Sequence, residues 1–184
     1  MAPAAEAVLA GALDYAVTSA AQIGTAGLGR RSACPGWTVA DVLGHATQSL
    51  RCLATALDSG AVPEPGPAGC RDLGRAASAL LAAARTTRAR IAVDGLRLPC
   101  HRLIVVGAIE AAVHAWDAGG PPLPEDLAVA LLAELPLVLG RGVRHGLFAD
   151  PIPLPPGRPA AQRLLAALGR NPADSFSRPP ESNR

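Results

Sequence analysis

Glu110-Ala111-Ala112-Val113-His114 places a carboxylate and an imidazole four residues apart. On a helix, such a pair lies on one face with Cβ atoms about 5–6 Å apart. Glu110 and His114 share a stripe with Leu103, Val106, Gly107 and Val113, the apolar side that faces a core. A buried carboxylate is costly unless it is paired. Two arrangements satisfy it: a Glu–His hydrogen bond, or one divalent cation that a carboxylate oxygen and an imidazole nitrogen reach together. His45 is a third candidate, on a stripe with Val42, Ser49, Cys52 and Ala56. That face is mixed, of the kind that rims a cavity, although a packed histidine with one satisfied nitrogen also fits it. If the helices bearing His45 and Glu110 face each other, His45, Glu110 and His114 make a ligand set of two imidazoles and one carboxylate. Such a set leaves positions open for water or substrate, as catalytic sites do, whereas structural zinc sites are closed by four protein ligands. It accepts Zn, Fe, Ni or Mn alike.

Other residues carry less. Asp117, one turn beyond His114, reads either as a partner behind the site or as a surface acid. Cys52, two turns beyond His45, reads as a cavity-bordering thiol or a small buried hydrophobe. Trp37 and Trp116 read as packing residues. His101 stands about 20 Å along the helix from His114, at about 1.5 Å per residue, and is not expected to be a ligand. His145 falls in a Gly-rich stretch expected to be exposed. Arg71, Arg75, Arg85, Arg88 and Arg90 read as a solvated face.

The elements that must position these groups are helical. Ala4 to Ile23 has apolar positions at helical spacing and ends in the Gly-rich stretch Gly24 to Gly29. Cys34-Pro35-Gly36-Trp37 predicts a turn, and Thr38 with Asp41 predicts a capping box that starts a helix running to about Leu57. Its positions Val39, Leu43, Ala46, Leu50, Leu53 and Leu57 form a bundle seam. After a Pro-rich loop, Asp58 to Gly69, a third helix is expected from Cys70 to Arg90, with Leu73, Leu80 and Leu81 inward. Ile91 to Cys100 is a short strand or a connection. A fourth helix runs from His101 to Asp117 and stops at Gly119-Gly120-Pro121-Pro122. A fifth, Glu125 to Gly140, opens on acids that suit the helix dipole and meets Pro136 near its end. Phe148 to Pro156 is extended, and a last helix covers Pro159 to Leu168. The expectation is an all-α, up-and-down four-helix bundle with C-terminal helical additions, residues 1–172, and a disordered tail, residues 173–184.

Composition agrees. Hydrophobic residues are 49% and aromatics 3% of the 184, so the core is built of Leu, Val and Ala, which suits helices better than sheets. A net charge of +2 gives no support to a nucleic-acid role. Every basic residue is Arg, which with the abundant Ala, Gly and Pro reflects a GC-rich coding bias. No run is apolar enough for a membrane span or fits a leader peptide, and the four cysteines form no CxxC pair. A cytoplasmic protein, monomer or homodimer, acting on a small molecule is expected.

Cys34-Pro-Gly-Trp-Thr-Val-Ala-Asp-Val-Leu-Gly-His45 resembles a signature of the mycothiol-dependent maleylpyruvate isomerase family, within the DinB-like metalloprotein superfamily. So do Glu110-x3-His114-Ala-Trp-Asp117 and the ending Phe148…Pro151-Ile-Pro with Arg163-Leu-Leu-Ala-Ala-Leu-Gly-Arg170-Asn-Pro. The resemblance implies a DinB-like bundle and a divalent metal, usually zinc, on His45, Glu110 and His114. It also implies a chemistry, in which the metal lowers the pKa of a thiol such as mycothiol and makes it a nucleophile for isomerisation or S-transfer. Two features depart from the family. The full-length isomerases carry a smaller second domain for which this chain has no room, and Ala118-Gly119-Gly120 replaces the usual apolar run. A thiol-independent lyase, cyclase or hydrolase in a natural-product pathway, or a non-catalytic binding protein, are the alternative readings.

Overall fold

Four long helices dominate a computed structural model of the chain, which describes residues 3–64, 66, 69, 72–86, 89–93, 95–139 and 148–174. They are α1 (Pro3–Ile23), α2 (Val39–Ser59), α3 (Leu73–Thr86) and α4 (Cys100–Asp117). Two shorter ones follow, α5 (Glu125–Val138) and α6 (Ala160–Ala167). The expected all-α bundle with C-terminal helices is present. Cys70, Arg71, Arg88, His145 and the tail 175–184 lie outside the described residues.

Local chemistry sets the helix ends. Thr38 caps α2: its hydroxyl accepts from the Asp41 amide at 3.2 Å, and the Asp41 carboxylate accepts from the Thr38 amide at 2.8 Å. Before it, the Trp37 amide bonds the Cys34 carbonyl at 3.1 Å and Gly36 adopts φ +81, closing the expected turn. Helix α3 is shorter than expected at both ends. Arg90, expected to close it, instead opens strand β1 (Arg90–Val93), which pairs antiparallel with β2 (Leu96–Pro99) across a turn with Gly95 at φ +79. The ambiguous Ile91–Cys100 stretch is thus the greater part of a hairpin. Pro136 lies within the last turn of α5, where the helix runs only two residues further.

The seam read from the sequence is the core: Val39, Leu43, Ala46, Leu50 and Leu57 are all buried, and Leu53 is partly so. Helix α4 packs between α1 and α2, and α3 packs on α2 and α1. Gly107 marks the level where all four meet, because a Cβ there would stand 2.8 Å from Leu80, 3.5 Å from Leu53 and 3.6 Å from Leu9. The up-and-down pattern holds from α1 to α2 and from α3 to α4, and is varied between α2 and α3, which run the same way. Asp72, at the start of α3, reaches back to Arg51 at 2.9 Å, while Gly60, at the end of α2, meets Ala92 just beyond α3. The Pro-rich loop makes that return. This order places α2 and α4 side by side, the condition for His45 to meet Glu110 and His114.

Candidate metal centre

The side chains of His45, Glu110 and His114 converge between α2 and α4. Glu110 Oε2 lies 3.3 Å from His114 Nε2 and 4.0 Å from His45 Nε2, and the three donor atoms fall within 4.8 Å of one another. The two imidazoles stand perpendicular, ring centroids 4.9 Å apart. Helix register explains the meeting: 110 and 114 stack on α4, while His45 projects from the exposed shoulder of α2, two turns after its cap. Trp37, read as a packing residue, is 40% exposed and sets its ring against His45, centroids 5.3 Å apart. Trp116 is buried.

His114 uses both ring nitrogens. Nε2 faces Glu110, and Nδ1 lies 3.1 Å from Oδ2 of Asp117. Asp117 is fully buried, and Arg170 grips both of its oxygens, Nε at 3.2 Å and Nη2 at 2.8 Å. Of the two readings of Asp117, the surface acid does not hold, since the residue is buried against His114. Cys34 also approaches His114, since the Ala33 amide bonds the Asp117 carbonyl at 2.8 Å and draws the turn onto the end of α4. Cys34, His114 and Asp117 form a second cluster of donors within 4.8 Å.

These contacts shift the titrating groups. Burial pushes the His114 pKa down, but hydrogen bonds with Asp117, Cys34 and Glu110 outweigh it and carry the value up to about 11. Burial acts to raise Glu110, yet His114, His45 and Ser49 hold it below the usual carboxylate range. Burial, then the neighbouring His114, lowers His45. The cluster therefore concentrates anionic donors around one point and satisfies them with a proton. A cation at that point does the same work with Nε2 as a lone-pair donor and Nδ1–H kept on Asp117, the arrangement in which a carboxylate fixes the tautomer of a metal-binding histidine. The donor chemistry fits a divalent ion.

The site forms one end of a cavity of about 570 Å³, walled by Ser49 and Cys52 of α2, by Leu103 and Val106 of α4, and by Phe148. Over residues 9–119 the chain matches the mycothiol maleylpyruvate isomerase N-terminal domain. The chain belongs to this family. Among solved structures it is similar to a mutant of the mycothiol-dependent maleylpyruvate isomerase, at 17% identity over 71% of this chain and 68% of that one, with a TM-score of 0.49. No curated protein matches it.

The family's domain spans His45, Glu110, His114 and Asp117, whereas Phe148 and Arg170 lie beyond the matched residues. Cys52 borders the cavity, partly exposed. His101 is engaged elsewhere, 2.9 Å from Glu134. Arg85 pairs with Glu6 at 2.8 Å, Arg75 lies 3.7 Å from Asp72, and Arg90 bonds the Arg97 carbonyl, so these arginines tie elements together as well as facing solvent. Sequence reading did not place Arg170, Cys34, Ser49 or Phe148 at the site. Cys34 and Ser49 carried a signal, one in the turn before α2 and the other on the stripe of His45. Nothing in the sequence linked Arg170 to Asp117, 53 residues away.

Proposed function

We propose that this chain is a metal-dependent enzyme of small-molecule chemistry, with residues 1–172 as its working unit and His45, Glu110 and His114 as the metal ligands. The observation that carries this is the convergence of those three donors at the end of a cavity, with the far nitrogen of His114 bound to Asp117. A divalent ion held there, zinc first among the candidates, supplies a Lewis acid with open positions that lowers the pKa of a thiol or polarises a carbonyl.

The chain's own residues do the rest. Glu110 and the two imidazoles bring one negative charge to the ion, so a net positive charge remains to attract an anionic reactant. Asp117 keeps the Nδ1 proton in place and fixes the ring, while Arg170 fixes Asp117. The apolar wall of Leu103, Val106 and Phe148 excludes water from a reactive thiolate or intermediate. Membership of the family favours a thiol of mycothiol type as co-substrate and isomerisation or S-transfer as the reaction. One second reading, a thiol-independent lyase, cyclase or hydrolase, rests on the same open positions of the ion beside the cavity. Turnover that requires added thiol supports the first, and turnover without thiol the second.

Metal content of the purified chain is the first test. About one equivalent of divalent metal is expected, lost in His45→Ala, Glu110→Ala and His114→Ala while circular dichroism retains the helical signal. Unchanged stoichiometry in all three variants overturns the assignment.

A further inference from the structure

The same cavity holds a feature that metal binding does not use. Arg102 lines it, near the start of α4, and makes no hydrogen bond or ion pair with another described residue. The first turn of α4 contains no acid. A cation there also stands at the positive end of its own helix dipole, where cations are disfavoured. On α5, Glu134 is engaged by His101 at 2.9 Å. Arg102 is thus an exposed charge with no partner among the described residues, placed against its helix's field and lining a cavity. Between Arg102 and Glu110 the walls are apolar: Leu53, Leu98, Leu103, Val106, Val138 and Phe148. Eight residues of helix separate the two ends, roughly 12 Å at the helical rise. The volume, about 570 Å³, lies in the range of small-molecule sites.

We infer that this cavity takes an organic anion with an apolar body, of carboxylate class, whose anionic head pairs with Arg102 while its other end reaches His45, Glu110 and His114. A guanidinium offers paired donors that match a carboxylate. The apolar walls between accept a hydrocarbon segment, and they offer little to a small polyanion charged along its whole length. The inference names the substrate class for the function proposed above and rests on that reading for the reacting end only.

Octanoate and 1-octanol serve as probes, titrated calorimetrically into the metal-loaded full chain. Octanoate is expected to bind more tightly than octanol. Arg102→Gln should weaken octanoate about tenfold or more, leave octanol unchanged and retain the bound metal. Phe148→Ala should weaken both probes, which reports the apolar contact separately. Equal binding of the two probes by the native chain overturns the inference, as does octanoate binding unaffected in Arg102→Gln. Loss of octanoate binding on chelation, with Arg102→Gln unaffected, puts the carboxylate at the ion and overturns it too. A chain that holds no metal but still discriminates octanoate through Arg102 separates failure of the metal reading from failure of this one.

Discussion

His114 faces Glu110 with one nitrogen and Asp117 with the other, and the two halves are separable by substitution. Asp117→Asn keeps the size of the side chain but replaces the anionic acceptor with an amide. The three proposed ligands remain, so on that assignment metal should still bind, with affinity reduced about 10–100-fold. Competition with a chelating dye measures this, and an unchanged affinity would show that Asp117 does not act through the histidine. Arg170 gives a different outcome. Asp117 is fully buried, and Arg170 supplies its two cationic hydrogen bonds. Arg170→Gln leaves that charge with His114 alone, and stability should fall on the order of 3 kcal/mol in urea unfolding. The double variant Asp117→Asn, Arg170→Gln removes the orphaned charge and should recover part of the loss, whereas simple additivity would place the two side chains in separate environments.

At the scale of elements, the end of α4 decides where Asp117 sits. The Gly119 amide bonds the Trp116 carbonyl at 2.8 Å, the Gly120 amide bonds the Ala115 carbonyl at 3.0 Å, and Gly119 adopts φ +86. This is a Schellman closure, built by the Ala118-Gly119-Gly120 stretch. It stops the helix directly after Asp117 and turns the chain toward α1. A Cβ on Gly120 would lie 2.8 Å from both the Ala115 carbonyl oxygen and Ser19 Oγ. Gly120→Ala should therefore cost about 1–3 kcal/mol, seen as a fall of several degrees in Tm, because the carbonyl cannot rotate away. A Tm equal to that of the parent would mean that α1 and α4 are not held at this separation. The sequence made α2 legible because its signals agree: turn, capping box and seam coincide between Cys34 and Leu57. It made α3 less so, since Arg and Ala continue a helical pattern past Thr86, whereas Arg90–Val93 pairs as a strand with Leu96–Pro99. The pairing of Asp117 with Arg170 was not legible, because it joins residues that only the fold brings together.

For the whole molecule, the described helices form a core of Leu, Val and Ala, none long and apolar enough to cross a membrane. Few polar groups lie inside it, and Tyr15 is one through which alkaline pH acts on the bundle. It is the chain's single tyrosine, 7% exposed, and its hydroxyl donates to the Pro121 carbonyl at 2.7 Å, tying α1 to the connection between α4 and α5. Burial raises its pKa to about 12, against a small opposing effect of Ser19. The neutral phenol is thus favoured in the folded state. Its contribution to stability is complete below pH 10, where the unfolded chain also holds the proton. It declines as the pH rises from there toward 12, because the unfolded state ionises first. The full effect is roughly 2–3 kcal/mol, from about 1.4 kcal/mol per unit. Urea unfolding across this range should show an alkaline loss of at least that size, with phenolate absorbance appearing together with unfolding. In Tyr15→Phe the loss should be smaller by that amount, the remainder belonging to His114, whose pKa is also raised, and the starting stability should be lower, since the bond to Pro121 is gone. Phenolate absorbance that rises well before unfolding would mean that water reaches the hydroxyl in the folded chain, and that α1 is held to the α4–α5 connection by apolar packing alone.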